Sequence, residues 1–519
     1  MNGAETLVQT LVDSGVTVCF ANPGTSEMHF VGALDGNPGI RCVLCLFEGV
    51  ASAAADGYAR MTGAPAATLL HLGPGLANAG ANLHNAMRAA SPLINIVGDH
   101  ATYHRHLDAP LTSDIEGLAR TWSAWTRTAR DARMVAGDAA EAVRRAYEGR
   151  GGISTLILPA DTAWGAGQDA AMLSQPPPVP IPSSACIENA VAMLRNGKRT
   201  LLLVGGRALR SADALDDADR IAQAADADLL APNSNARMDR GGGRVSISRV
   251  PYVVDEATDM LKGFNQCICV EADTPVAFFA YPGKPGHLLA PDCEIHVLAH
   301  PGEDGPAALA KLCSLLGSGH IEPRHAARES NRPVPPGALS PVALGNALAN
   351  RLPENSIICD EGLTAGMAAT AATATAAPHS LLQLTGGAIG IGLPMAIGAA
   401  VACPGRKVIV LQADGSGMYT NQALWTYARE KLDIVAIVLS NGSYASLRRE
   451  LHNVGVLNPG PKALGMTSLG DPDIDWALMA RSMGVHGEKA ETGEAFDRLL
   501  AEALDRSGPS LIEANLSSL

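Results

Sequence analysis

An α/β fold is what this sequence predicts: three consecutive doubly wound domains, each built on a mainly parallel sheet. Three observations carry that expectation. Short apolar runs alternate with helical segments along most of the chain, which is how a parallel sheet covered by helices is written. Two proline-bearing stretches, residues 176–182 and 320–336, interrupt the alternation and divide the 519 residues into pieces of domain size. Glycine is abundant at 54 residues while aromatics supply only 4% of the chain, a balance suited to tight turns and close helix–sheet packing.

The first domain, residues 1–170, carries apolar runs at 16–20, 42–47, 66–70, 93–97 and 155–158. The second, residues 183–319, has its clearest unit at Thr200-Leu201-Leu202-Leu203-Val204-Gly205-Gly206-Arg207, a strand and a glycine turn, followed by a helical pattern over 211–224. The full dinucleotide fingerprint is missing, so this turn reads as ordinary strand-to-helix geometry, with a nucleotide site as the competing reading. The third domain, residues 337–519, places strands near 356–359, 408–411, 434–439 and 510–513. Residues 384–403 lack any charge over a length able to span a bilayer. Six glycines and prolines between Gly386 and Gly398 suit a turn and a close-packed helix instead, so the segment is expected to be buried and soluble.

A formal charge of −13 speaks against a nucleic-acid partner or an anionic membrane surface, both of which need clustered Lys and Arg. Small anionic substrates stay open, because a pocket can differ from the global field. The ten cysteines form no repeating framework. Cys42 and Cys45 lie in an apolar run and are expected to be buried, inert thiols of a strand. Such usage fits a reducing cytoplasm, and residues 1–16 show no secretion signal.

The strongest local signal begins at Lys407. One apolar strand ends in Ala413-Asp414-Gly415-Ser416-Gly417, a helix follows over 421–430, and a second strand ends in Ser440-Asn441-Gly442-Ser443-Tyr444. Two parallel strands thus deliver Asp414 and Asn441 to one carboxyl edge, where ligands of open α/β sheets bind. A carboxylate, an amide oxygen and a nearby backbone carbonyl, assigned to Ser443, are hard oxygen donors suited to Mg²⁺.

That pair resembles the thiamine-diphosphate motif, a GDG followed about 27 residues later by NN, with Ala413 and Ser440 as mild departures. Further matches fall in the family's order: Phe20-Ala21-Asn22-Pro23-Gly24-Thr25-Ser26-Glu27, then Phe47-Glu48-Gly49 through Arg60, then the glycine-rich stretch from Gly386 to Gly398. Essentially the whole chain resembles benzoylformate decarboxylases and acetolactate synthase large subunits. The resemblance implies pyrimidine-binding, middle and diphosphate-binding domains, with thiamine diphosphate and Mg²⁺ as cofactors. FAD is possible by analogy, since acetolactate synthases carry one structurally, but nothing in the sequence indicates it. The implied reaction is decarboxylation of a small-molecule 2-oxo acid through a C2-carbanion/enamine intermediate. Carboligation of two 2-oxo acids, as in acetolactate synthases, is the alternative; a catalytically silent regulatory subunit is another of a different class. The implied assembly is a homodimer at least, with a homotetramer expected.

Residue by residue, the resemblance makes Glu48 the partner of the cofactor's aminopyrimidine, against a bland reading as a helix N-terminal carboxylate. Ile389 would wedge beneath the cofactor, or simply pack. Leu363 and Thr364 fall at the strand end that touches the diphosphate, where Thr364 could instead be a helix N-cap. Gly415, Ser416 and Tyr444 complete the cofactor's surroundings. Thr25 matches a pocket serine and His71 a pocket histidine of benzoylformate decarboxylase; a lone His in an apolar strand is as readily structural. Ala280 stands where that enzyme has its second pocket histidine, which lowers the expectation of benzoylformate as substrate.

Overall fold

The structure is a computed structural model describing residues 1–149, 151–172 and 176–516; residue 150 of the first expected domain, 1–170, and the end of the third at 517–519 lie outside the described residues. Strands Leu93–Asp99 and Ile153–Pro159 are buried along their whole length, because helices cover both faces of their sheet. This double cover is why they read as unbroken apolar runs. They belong to a six-stranded, all-parallel sheet ordered Arg41–Leu44, Val18–Ala21, Ala66–Leu70, Leu93–Asp99, Ile153–Pro159, Trp125–Thr128. A five-stranded parallel sheet follows, ordered Ser248–Arg249, Asp228–Ala231, Thr200–Val204, Gln266–Val270, Glu294–Ala299. The third sheet is ordered His486–Ala490, Ser510–Asn515, Ile434–Ser440, Val408–Ala413, Ile357–Glu361, His379–Gln383 and is parallel throughout those six strands.

Its seventh strand comes from elsewhere in the chain. Met238–Arg240, within the segment expected to form the middle domain, pairs antiparallel with His379–Gln383. His379 sits at this seam, buried, with its Nδ1 against the Ala377 carbonyl at 2.8 Å and its Nε2 facing Arg240 Nε at 3.2 Å. Arginine can only donate, so Nε2 carries a lone pair and the imidazole is neutral. Burial and the neighbouring guanidinium press its pKa down to about 3.

The 384–403 segment resolves into a turn and the helix Gly392–Ala402, which packs on the helix Glu48–Thr62. The glycines are steric requirements of that contact: a Cβ on Gly398 would lie 1.8 Å from the Ala54 carbonyl oxygen, and one on Gly57 2.1 Å from that of Met395. One apolar core runs continuously through this helix pair, joining the first and third sheets. Among the described residues no helix is long and apolar enough to cross a membrane. All ten cysteines are free, but Cys42 departs from expectation: it lies exposed on the outermost strand of the first sheet, while Cys45 is buried.

Candidate active site in two halves

The carboxyl edge of the first sheet carries Thr25, Glu48 and His71. Glu48 opens the helix that follows Arg41–Leu44, a position where the helix dipole favours a carboxylate. That alone does not explain its surroundings. The residue is only 5% exposed, its Oε2 accepts a 3.0 Å hydrogen bond from Asn78 Nδ2, and among the described residues no cation pairs with it. Its Oε1 faces Gly75, where an added Cβ would come within 3.0 Å. A buried carboxylate is ordinarily paired or several-fold hydrogen-bonded; this one keeps an oxygen for something else.

His71 precedes the helix Leu72–Arg88, and its Nδ1 lies 2.8 Å from Glu27 Oε2 and 3.4 Å from Ser26 Oγ. Glu27 is itself buried and also accepts from Gly24 N at 2.9 Å and Ser26 Oγ at 2.6 Å. Gly24 has no alternative here, since a Cβ would sit 2.0 Å from His71 Nδ1. The dyad fixes the ring and leaves Nε2 for a ligand. Thr25 is exposed at the start of the short turn Thr25–Glu27 that supplies this carboxylate. Glu27 and Asn78 went unnoticed in the sequence. The signal for the latter was an Asn at 78, 82 and 85, one face of a helix that is otherwise apolar there.

The second half lies at the carboxyl edge of the third sheet. Asp414 begins a one-turn helix after Val408–Ala413 and is buried; Oδ1 accepts from Gly415 N at 2.8 Å, Oδ2 from Asn441 N at 3.0 Å and Gly442 N at 2.8 Å. Burial pushes its carboxyl up from the usual range, and these three amides oppose the shift. Three of roughly four lone-pair positions are thereby used, leaving one for an external cation. Asn441 Oδ1 accepts from Ser443 N at 3.0 Å, which holds the amide oxygen over the same turn. The donor set is therefore all oxygen and fits Mg²⁺, while no cluster of three His, Cys, Asp or Glu among the described residues could hold a softer metal. Gly415 lets Tyr444 close over the turn: a Cβ there would lie 2.4 Å from its ring. Ser416 Oγ accepts from Gln412 Nε2 at 2.6 Å.

Thr364 is not the helix N-cap; Gly362 holds that place before Leu363–Ala372, so the threonine hydroxyl is released from the bland role. Leu363 has φ +47 and Leu72 φ +48, left-handed values rare for leucine, at equivalent strand-to-helix turns of the two halves. Ile389 is carried by the turn 386–391, which two side chains clamp. Glu361 accepts from Gly390 N and Gly392 N, each at 2.6 Å, and burial pushes its carboxyl up. Asn85 accepts from Gly386 N and Ala388 N and donates to the Ala388 carbonyl. Phe278 rests on Gly387 of this turn, bringing the loop with the exposed Ala280 alongside.

Within one chain the halves do not meet. Gly57 faces Met395 and Ala54 faces Gly398, so the two packed helices run antiparallel and Glu48 and Ile389 stand at opposite ends. Arg60, which donates to the Gln383 carbonyl at 2.6 Å and Thr385 Oγ1 at 3.0 Å, is twelve residues from Glu48, roughly 18 Å of helix.

The glycine turn of the second sheet is filled from within. Glu271 Oε2 accepts from Arg207 N at 2.8 Å and its Oε1 from Gly305 N at 2.9 Å, so a carboxylate of this chain takes the amides that would receive a phosphate. Gly206 is the required residue: a Cβ would fall 2.1 Å from Glu271 Oε2.

Comparisons with known proteins bear on both halves. Residues 1–119 match the family model of the thiamine pyrophosphate enzyme N-terminal TPP binding domain, and residues 360–514 that of the C-terminal TPP binding domain. A protein of Mycobacterium tuberculosis provisionally named acetolactate synthase large subunit IlvX is 46% identical over 100% of both chains. Benzoylformate decarboxylase of Pseudomonas aeruginosa is 28% identical, with 96% of each chain covered. Among solved structures, the thiamine diphosphate-dependent 4-hydroxybenzoylformate decarboxylase of Rhodococcus jostii RHA1 superposes with a TM-score of 0.84 over 99% of both chains at 24% identity, a likeness of fold.

Proposed function

Since the chain belongs to the thiamine pyrophosphate enzymes, a family with decarboxylases and acetolactate synthases among its relatives, we propose that it decarboxylates a 2-oxo acid without oxidation, using thiamine diphosphate and Mg²⁺. The observation that carries this reading is the dyad of Glu27 and His71 beside the buried Glu48. Decarboxylation ends by giving a proton to the carbon that lost carbon dioxide, and an imidazole held by its Nδ1 is a positioned proton carrier. Carboligation would need a second carbonyl at that place instead.

Bound thiamine diphosphate would supply the nucleophilic carbon and the electron sink that loss of carbon dioxide requires. Glu48 Oε1 would hold a proton against the aminopyrimidine, with Asn78 fixing the carboxyl group. Asp414, Asn441 and the Ser443 carbonyl would hold Mg²⁺, and the cation with Thr364 would receive the diphosphate. Ile389, clamped by Glu361 and Asn85, would support the bend between the cofactor's rings, and Thr25 would receive the substrate carboxylate. Because Glu48 and Ile389 stand at opposite ends of one helix pair, the complete site needs two chains, so the protein acts as a homodimer at least, with a tetramer as a pair of dimers. Free thiols throughout fit a reducing cytoplasm.

A panel of 2-oxo acids incubated with thiamine diphosphate and Mg²⁺, scored for carbon dioxide, aldehyde and hydroxyketone, tests the reading. Aldehyde in step with carbon dioxide is expected. Hydroxyketone as the sole organic product would transfer the chain to the carboligases.

A further inference from the structure

A hairpin loop of the middle unit overhangs the second half-site. It follows the strand Gln266–Val270; Val276 pairs antiparallel with His287, and Ala277 N donates to the Gly286 carbonyl at 2.8 Å. Its tip carries Phe278, Phe279 and Tyr281 and is held at two places on which the half-site depends. The Phe278 ring lies over Gly387, where an added Cβ would come within 2.6 Å of its Cζ. Gly387 is two residues from Ile389, roughly 7 Å of chain at most. On the other side Tyr281 Oη donates to Glu450 Oε2 at 2.9 Å. Glu450 belongs to the helix Ala445–Asn453, which follows Tyr444 and packs on the helix Leu363–Ala372 that carries Thr364.

The tip presents rings rather than charges. Phe278 and Phe279 are 52% and 54% exposed with their ring centroids 4.9 Å apart, edge to face, and Tyr252 stands 5.5 Å from Phe278. Leu447, one helical turn before Glu450 and so on the same face, is 48% exposed. The charged groups around them are engaged or turned to solvent. Lys284 pairs with Asp255 at 2.7 Å, Glu450 also accepts from Asn453 Nδ2 at 3.3 Å, and Arg449 is exposed. Contiguous apolar surface left in water marks a place where an apolar group binds. The Glu450 carboxylate beside Tyr281 disfavours an acidic group there. The ring face that a cation would need is taken where Phe278 and Phe279 meet edge to face.

We propose that Phe278, Phe279 and Leu447 form the subsite for the substrate's side chain, so that the substrate is a 2-oxo acid carrying a bulky apolar group, aryl or branched alkyl. The inference names the substrate class for the reaction proposed above and rests on that reading. Hairpin, turn and helix belong to one chain, so the subsite is built before a second chain brings His71 to it. Phe279 packs on Phe278, and Phe278 in turn supports Gly387, so Phe279 can be changed with the ring on Gly387 left in place.

Turnover of phenylpyruvate, 4-methyl-2-oxopentanoate, 2-oxoglutarate, 5-guanidino-2-oxopentanoate and pyruvate is compared in wild type, Phe279→Ala and Phe279→Leu. Wild type is expected to favour the first two. Phe279→Ala should lower the ratio of kcat/KM for phenylpyruvate to that for pyruvate by roughly tenfold. Phe279→Leu, which restores apolar surface, should recover most of that ratio. Calorimetric titration of 3-phenylpropanoate into protein loaded with thiamine diphosphate and Mg²⁺ reads the subsite without turnover: binding in wild type, roughly tenfold weaker in Phe279→Ala. Sedimentation should give the same assembly for all three proteins. A ratio and a 3-phenylpropanoate affinity both indifferent to Phe279 overturn the subsite, as does a wild-type preference for pyruvate or a charged acid. A smaller assembly in Phe279→Ala also overturns it and gives the rings to the contact between chains. Phe279-dependent binding of 3-phenylpropanoate with no turnover of any 2-oxo acid keeps the subsite and removes the decarboxylase reading.

Discussion

Glu48 combines near-complete burial with one neutral hydrogen-bond donor, and its substitution separates holding a cofactor from activating it. Glu48→Gln preserves shape and the bond from Asn78 but cannot lend a proton. Thiamine diphosphate affinity should therefore change by less than about threefold while the rate falls on the order of 10³-fold, a loss confined to kcat. Proton–deuteron exchange at the thiazolium carbon of the bound cofactor checks this; exchange as fast as in wild type would show that Glu48 has no part in activation. Asp414→Ala should do the reverse, weakening Mg²⁺-dependent cofactor retention in a titration, because it removes the charged oxygen donor of the turn. At this scale the sequence was most informative where side chains end strands: Glu48, Asp414 and Asn441 stand at carboxyl edges that the apolar runs already located. Glu27 was illegible, since its meaning comes from His71, forty-four residues away, across a glycine that only the folded chain shows to be obligatory.

Among the elements, the turn 386–391 depends on two clamps from different parts of the chain. Glu361→Gln offers one acceptor oxygen for two amides and turns an N–H toward the other, so it should cost roughly 1–3 kcal/mol of stability and loosen the seat of Ile389. A lowered denaturation midpoint with raised cofactor Kd is the expected pair of readings; an unchanged midpoint would mean the turn holds without it. The seam at His379 makes a pH prediction. Its pKa is lowered in the fold, so the stabilisation is present above the unfolded value near 6.5 and is lost as pH falls from there toward about 3, at about 1.4 kcal/mol per unit. Chemical denaturation at pH 7.5 and 5.5 should show wild type losing roughly 1 kcal/mol more than His379→Gln; parallel losses would place the acid sensitivity elsewhere. Strands Gln266–Val270 and His379–Gln383 escaped the sequence because cysteine, glutamine and histidine dilute their apolar pattern, although all ten residues are buried. Their sites in the sheets are set by neighbours, not by propensity. Arg41–Leu44 lies earlier than the apolar run over 42–47 because the chain must turn at Cys45–Phe47 to start the helix at Glu48.

For the molecule as a whole, the separation of Glu48 from Ile389 sets the arithmetic of assembly. Glu48→Gln and Asp414→Ala proteins should each be inactive, yet co-refolding equal amounts should restore roughly a quarter of wild-type activity, since half the dimers are mixed and each has one intact site. No recovery on mixing, with a monomer in sedimentation, would place the whole site within one chain. The middle unit's role follows from Glu271: with its own carboxylate on the Gly205–Gly206 turn, the purified protein should show no flavin absorbance in the visible, and a stoichiometric flavin band would contradict that. Domain count and order were legible because proline-rich breaks and strand–helix alternation are local properties. The exchange of Met238–Arg240 into the third sheet was not, since three residues with two charges announce no strand by themselves.

That short strand also covers the edge of the third sheet. Without it, His379–Gln383 would be the outermost strand of a six-strand platform, presenting a row of unsatisfied amides and carbonyls with no proline or lysine to discourage a neighbour. Met238–Arg240 acts as a fitted edge guard, anchored by Arg240 on Thr370, Thr373 and His379 and by Asp239 on Ser380. A chain trimmed to residues 337–519 would expose this margin together with the face of the helix Gly392–Ala402 that packs on Glu48–Thr62. It should therefore accumulate as open-ended oligomers that bind amyloid-type dyes, and adding a peptide spanning residues 236–242 should slow their growth.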